Sequence, residues 1–374
     1  MRSLTASEAA PVVPVVPVVP VAPVAPVAPV APVGPVAPVQ APGGVRGWSA
    51  RFTLMAIVLV LAAATLPFVV SNYRVFQLTM VLIYAIALLG LNILTGYNGQ
   101  ISLGHGAFYA IGAYVAAVLM DRYDVPYWLC VPAAGAVCLL AGFLFGLPAL
   151  RLEGVYLALA TFALGVALPQ LLKYKHLEAW TGGVQGISLI KPDPPIASLL
   201  GLKLNADRWL YLFTLAVTVL MFVLAWNLLR GRVGRALIAI RDHPIAAATM
   251  GIDNALYKSL AFGVSALFTG VAGALGAIAV AFVAPDSFTI FLSISLLVGM
   301  VVGGLASISG AIWGALFIQF VPNLADQVSK AAPWAIYGAL MIAFMYVMPT
   351  GIAGALRLAW RRLARRAGRG SPAP

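Results

Sequence analysis

Apolar residues dominate the chain from about residue 50 to residue 350, and short polar stretches interrupt them at regular intervals. A helix that crosses the hydrocarbon of a bilayer needs about 20 such residues. On that measure the runs divide into ten segments, at roughly 51–71, 75–95, 103–120, 126–147, 154–172, 209–229, 259–283, 288–306, 309–323 and 333–350. The pattern therefore predicts an all-α polytopic membrane protein of about ten transmembrane helices. Two flanks lie outside it. In residues 1–45 a proline recurs at every third position from Pro11 to Pro38, separated by valine, alanine and one glycine. That spacing matches the three-residue turn of polyproline II and forbids an α-helix, so residues 1–45 are read as a low-complexity cytoplasmic tail. Residues 46–355 form the membrane domain, and residues 356–374 a second, basic tail.

Composition agrees with lipid as the solvent. Hydrophobic residues make up 62% of the chain and charged residues 9%, with a mean hydropathy of +0.99. A net charge of +12 would suggest nucleic acid in a soluble protein, but here the basic residues keep clear of the apolar runs and collect in particular loops. Lys and Arg concentrate on the cytoplasmic side of membrane proteins. With the N-terminus inside, cytoplasmic segments hold Arg2, Arg46, Arg51, Arg151, Arg230, Arg232, Arg235, Arg241, Lys258 and the six arginines from Arg357 to Arg369. An even number of spans then returns both termini to the cytoplasm of a plasma-membrane (inner-membrane) protein. It also places a long loop, about 173–208, outside. No nucleic-acid partner is implied; the surrounding partner is membrane lipid. Cys130 and Cys138 share one apolar segment and match no metal or redox motif.

No Asp, Glu, Lys or Arg falls in the middle of a span, whereas proton- or ion-coupled carriers need ionisable groups at that depth. None of the six lysines follows a glycine, so the chain has no phosphate-binding G-x-x-x-x-G-K-[ST] loop. The three histidines, His105, His176 and His243, fall in three separate loops. A secondary carrier and a membrane enzyme are both disfavoured, and a passive, non-ABC channel ranks below a transporter subunit because it leaves the short 244–250 helix unexplained. The chain is expected to hold no cofactor and no metal, and to draw energy from elsewhere.

Two regions depart from plain helix. The first is Gly96-Tyr97-Asn98-Gly99-Gln100-Ile101-Ser102-Leu103-Gly104-His105-Gly106, whose density of glycine and polar residues is unsuited to lipid. Non-helical backbone at membrane depth survives only inside protein or beside water. The stretch is either a broken helix or gate lining a pathway, with Tyr97, Asn98, Gly99, Gln100, Ser102, Gly104, His105 and Gly106 as its candidates, or a tight turn between helices. The second is the cytoplasmic loop 230–258. Pro244 suits the first position of a short helix and Gly251 a left-handed stop. The small apolar helix between them cannot bury its face alone, so it needs a surface to dock against.

Three stretches carry a family resemblance: G-Y-N-G-Q-I-S-L-G-H-G-A-F-Y-A-I-G-A-Y (96–114), G-R-A-L-I-A-I-R-D-H-P-I-A-A-A-T-M-G-I (234–252) and L-V-G-M-V-V-G-G-L-A-S-I-S-G-A-I-W-G-A (297–315). Together they resemble the permeases of branched-chain amino acid ABC importers, more closely the second, longer permease of the pair, over roughly residues 50–355. The fold class implied is that of the ribose and branched-chain amino acid permeases. The resemblance implies a second permease subunit, two cytoplasmic ATPases that bind the ATP, a periplasmic substrate-binding protein, and transport by alternating access. Related permeases serve urea and short amides. It also implies an ATPase-coupling segment, carried onto Arg235, Arg241, Ile245, Ala246, Ala247 and Gly251. This sequence departs from the family motif in lacking its glutamate, where Ile245 stands, and the downstream Ile-x-Leu-Pro. In the third stretch Ala306 stands where another glycine is expected.

Overall fold

The computed structural model describes residues 50–152, 154–194, 198–199, 202–203, 205–328 and most of 338–358. The proline-rich tail and residues 359–374 lie outside the described residues, as does much of the tenth expected span, 333–350. The other nine expected spans are helices. In chain order they are α1 (Ala50–Val69), α2 (Asn72–Leu91), α3 (His105–Tyr123), α4 (Tyr127–Ala149), α5 (Val155–Leu172), α7 (Ala206–Arg230), α10 (Asn254–Val280), α11 (Ile290–Gly303) and α12 (Ile308–Val328). Short helices α6 (Glu178–Thr181), α8 (Arg232–Asp242) and α9 (Pro244–Thr249) lie in the connections. Among the described residues, six helical stretches are both long and apolar enough to cross a bilayer, and α1 and α12 contribute shorter apolar runs. Strand content among the described residues is confined to two-residue pieces. β1 (Ile187–Ser188) pairs antiparallel with β4 (Phe282–Val283), and β2 (Ser198–Leu199) with β3 (Leu202–Lys203).

The bundle is built around α10, 83% of whose apolar window is buried, against 28% for α5 at the rim. The cause lies in its small residues. A Cβ on Gly112 of α3 would overlap the Gly270 carbonyl of α10, one on Gly273 would overlap the Tyr109 carbonyl, and one on Gly270 would overlap Cys138 of α4. Lipid supplies no hydrophobic drive between helices, so close van der Waals approach across small residues does the holding. On α4, α5 and α7 the outward faces carry exposed Leu, Val and Phe, such as Leu140, Leu144, Leu159, Phe162, Leu220 and Leu224. Such faces suit acyl chains.

The connections sort into two ends. At one, Lys173 pairs with Asp286, β1 pairs with β4, and Lys191 meets Asp207 at 2.9 Å. At the other lie the end of α2, helices α8 and α9, the turn between α11 and α12, and Arg357. This grouping is the one required by the expected alternation of spans. The eighth expected span, 288–306, is shorter as a helix. Gly304 (φ 120°) and Ala306 (φ 52°) leave helical geometry and form the turn.

Candidate functional site

At the inner end of the expected topology, α2 does not stop cleanly. It continues as one stretch of π-helix, Asn92–Tyr97, a geometry that occurs mostly as short bulges at functional sites. Residues 98–104 then run without helix until α3 begins at His105. His105 meets Ser265, eleven residues after the start of α10 at Asn254, which is roughly 16 Å along that helix axis. The irregular backbone therefore penetrates toward mid-membrane depth, and protein covers most of it, though Ile101 is exposed. Asn98, Gln100, Ser102, Gly104, His105 and Gly106 are buried, Tyr97 is half-buried, and Gly99 is exposed.

Non-helical backbone and helix ends at such depth need partners, and hydroxyls from distant helices supply two of them, while a third holds the His105 ring. Leu103 N–H donates to Thr161 Oγ1 of α5 at 2.9 Å, and Gly106 N–H to Ser293 Oγ of α11 at 2.9 Å. Ser265 Oγ donates to the Gly90 carbonyl of α2 at 2.7 Å, so its single proton is used and it accepts from His105 Nε2 at 2.6 Å. With Nε2 protonated, the neutral ring offers Nδ1 as acceptor to the Ser102 hydroxyl at 2.9 Å. Ser102 Oγ in turn accepts from Gly104 N–H at 3.3 Å. His105 is thus a filled crosslink between α3, α10 and the irregular stretch. Glycine at 104 and 106 permits this, since Cβ atoms there would sit 2.6 Å from the Thr161 carbonyl and from Ser293 Oγ. Asn98 Nδ2 donates to Gln100 Oε1 at 2.7 Å, leaving Asn98 Oδ1 buried without a partner among the described residues.

The second region is built differently. α8 is amphipathic, burying Gly234, Ala236, Leu237 and Ile240 while Arg232 and Arg235 face out. Arg235 donates to the Arg230 carbonyl at the end of α7 (3.2 Å). Arg241 approaches the 96–106 stretch, through the Gly96 carbonyl at 2.9 Å. After His243, α9 starts with Pro244 at its first turn. It ends in a Schellman turn, in which Gly251 N–H donates to the Ala248 carbonyl (3.0 Å) and Ile252 N–H to the Ala247 carbonyl (3.1 Å). Gly251 holds φ +82°, a conformation that costs a side-chain-bearing residue energy. Asp253 then caps α10, its carboxylate accepting from the N–H groups of Ala255 and Leu256. Asn254 Nδ2 ties back to the Pro244 carbonyl at 2.8 Å. So α9 is joined by a four-residue link, Met250 to Asp253, and a side-chain tie to the most buried helix of the bundle.

Within α9 only Ala247 is buried. Ile245 is 72% exposed and Met250, just beyond the helix, is 84% exposed; Ala246 is exposed as well. Two large apolar side chains displayed among polar surroundings form an unfinished surface. Sequence reasoning placed Ala247 with the docking residues, whereas its side chain faces the protein's own body. The residues it missed altogether are Thr161, Ser265 and Ser293, together with Asn92, Ser307 and Arg357 at the end of α2. Their only sequence signal is a lone polar side chain in or beside an apolar run.

Comparison with known proteins decides what kind of membrane protein this is. A family model described as the branched-chain amino acid transport system / permease component matches residues 73–348. The chain belongs to this permease family. The high-affinity branched-chain amino acid transport system permease protein LivM of Escherichia coli K12 is 36% identical over 328 residues, covering 82% of this chain and 76% of that protein. The corresponding LivH of the same organism is 26% identical, covering 72% of this chain and 91% of LivH. The probable branched-chain amino acid transport permease protein LivH of Methanocaldococcus jannaschii is 27% identical, covering 71% and 85%. No solved structure matches the chain. The chain is accordingly a LivM-type permease, a multi-pass inner-membrane subunit of an importer and a translocation component rather than an enzyme. That two separately named permeases of one organism both match it indicates a transporter with a second permease subunit.

Proposed function

We propose that this permease carries branched-chain amino acids inward by alternating access, driven by ATP bound and hydrolysed on separate cytoplasmic subunits. The substrate class is taken from the names of the relatives, foremost the LivM protein. The observation that carries the coupling part is α9, a short, rigidly terminated helix with Ile245 and Met250 uncovered, tied directly to α10. A groove on an ATPase subunit would bury those side chains, and movement of that groove would displace the start of the central helix. Docking without the family's glutamate would rest on apolar contact alone. The filled hydrogen bonds around His105 support a gate element held in fixed register, whose inner mouth is formed by Tyr97, Asn98 and Gln100. At the opposite end, residues 173–190 and 281–289, joined by β1–β4 and the Lys173–Asp286 pair, offer a stiff surface to a periplasmic binding protein.

The test is reconstitution of the complete transporter from this chain, its partner permease, the ATPases and the binding protein. Uptake of leucine, isoleucine and valine should exceed that of urea, short amides and ribose. An Ile245→Asp variant should insert normally yet lose the co-purifying ATPase. Uptake of urea in preference to leucine would overturn the substrate assignment. Full retention of ATPase and uptake by Ile245→Asp would remove α9 from the coupling role.

A further inference from the structure

Arg241 lies at an exposed position, yet its guanidinium is bonded within this chain. Arg241 is the next-to-last residue of α8, two residues before the N-cap of α9, His243. Its Nε and Nη2 hold Asp242 Oδ1 at 2.9 and 2.8 Å, and its Nη1 donates to the Gly96 carbonyl at 2.9 Å. The stem of Arg241 lies on Gly99, where a Cβ would come 2.8 Å from Arg241 Cγ. Gly99 thus makes room for the stem of this arginine, and the Gly96 carbonyl accepts from its head.

The contact continues through the membrane end of the bundle. Gly96 packs against the Asn92 side chain, and a Cβ there would overlap Asn92 Oδ1 and lie 2.6 Å from Ala306 N. The Asn92 amide clamps the turn between α11 and α12 from both sides. Its Oδ1 accepts from Ala306 N–H at 2.8 Å, and its Nδ2 donates to the Ser307 carbonyl at 2.8 Å. Arg357 Nη2 donates to Ser307 Oγ at 2.8 Å, closing the series on the C-terminal segment. Four pieces of chain far apart in sequence are therefore linked by directional bonds that cross the π-helical end of α2. A π-helix adjoining an α-helix has a nearby alternative. Losing its extra residue per turn would rotate the chain beyond it by roughly 100° per residue of register.

We propose that Arg241 is the positioning residue that transmits displacement of the coupling segment to the π-helical end of α2 and, through Asn92, to the α11–α12 turn. The proposal rests on α9 being the coupling helix. Arg241 holds the Gly96 carbonyl in one state of the transporter and releases or re-aims it in the other, so the gate stretch beyond Tyr97 follows the ATPase. Neither Arg241 nor Asn92 need touch substrate for this, and the half-saturating substrate concentration should be insensitive to both.

The experiment measures uptake and ATP hydrolysis together in the reconstituted transporter carrying Arg241→Met, which keeps the stem on Gly99 and removes the donors. The expected result is normal ATPase co-purification, ATP hydrolysis close to the parent, and about tenfold less substrate moved per ATP, with unchanged half-saturation, the scale of effect for a residue that couples sites without touching either ligand. Arg241→Lys, which keeps a donor, should restore part of the ratio. Asn92→Ala combined with Arg241→Met should be no worse than Arg241→Met alone. An unaltered ratio in Arg241→Met overturns the proposal, and so does loss of the ATPase from that variant, which would place Arg241 at the subunit contact. Amide hydrogen exchange of residues 96–104 in the unsubstituted transporter supplies a reading independent of any variant. Protection there should change when a non-hydrolysable ATP analogue is added, and unchanged protection overturns the proposal. Failure of the coupling-helix reading itself shows separately, as retained ATPase and uptake in Ile245→Asp.

Discussion

The stretch 96–106 and the loop 242–252 are both short, glycine-punctuated interruptions of a helical protein, yet they solve opposite problems. The first is sunk among α5, α10 and α11 and takes its partners from them, so that almost all its polar groups are bonded within the chain. The second lies at the rim, bonded mainly to itself and to the first turn of α10, with its apolar side chains uncovered. One is a closed assembly whose geometry the chain alone determines. The other holds a fixed backbone geometry while leaving Ile245 and Met250 uncovered. The same residue type consequently serves different ends, since glycine admits a neighbour at Gly104 and only sets a backbone angle at Gly251.

A pair of identical substitutions gives the largest expected contrast. Gly104→Val drives a side chain into the Thr161 carbonyl, 2.6 Å from its Cβ, and should cost about 4 kcal/mol or more, enough to prevent accumulation of folded permease. Gly251→Val meets no atom within 4 Å and should cost about 1–2 kcal/mol through its positive φ alone. Monodisperse yield in size-exclusion chromatography after detergent extraction separates the two outcomes. Equal yields would show that the buried stretch relaxes more freely than its packing implies.

Within α9 the contrast is between neighbours. Ala247→Asp places a carboxylate at the one buried position and should cost about 3 kcal/mol or more in the isolated permease. Ala246→Asp, on the exposed side, should stay within about 0.5 kcal/mol. Thermal unfolding in detergent reads both, and equal melting temperatures would mean that α9 is not seated as described. A histidine pair comes next. His105→Ala removes a side chain bonded at both nitrogens and should lower stability by about 3 kcal/mol, whereas exposed His243→Ala should change it by less than about 0.5 kcal/mol. The smallest effect has the opposite sign. Ala306 holds φ 52° without being glycine, so Ala306→Gly should raise the melting temperature by relieving about 1 kcal/mol of backbone strain, partly offset by a freer unfolded chain. A fall in melting temperature would show that the Asn92 clamp depends on the methyl group.

The helices, the broken stretch and the short terminated helix α9 were all legible, because each is written in local pattern: apolar run length, glycine density, and a Pro244–Gly251 bracket. The unexpected glycine-like role of position 306 was half visible, since the family pattern called for glycine there and the backbone takes a positive φ. The partners of the buried stretch were not legible. Ser265 and Ser293 look no different in sequence from Thr79, Thr218 and Thr269, which bond their own helix carbonyl four residues back. Thr161 keeps such a local bond, to the Ala158 carbonyl, while also accepting from Leu103 N–H. A hydroxyl in an apolar helix has that local option by default, so its recruitment by a segment 58 to 187 residues away leaves no local trace. The inward turn of Ala247 was hidden for another reason. A six-residue helix is under two turns long and too short for periodicity to assign a face.

The seam along α10 limits how the protein can move. Where Gly112 faces Gly270 and Gly273 faces Tyr109, one main chain rests on another with no flexible side chain between to absorb a shift. Sliding by even one residue, about 1.5 Å, would set the Cβ of Ala113 or Ala274 against the opposing backbone. Helices α3, α4 and α10 therefore have no independent degrees of freedom and must travel as a keel. Whatever opens and shuts around them has to pivot in the looser rim, on α5, α11 and the joints at either end.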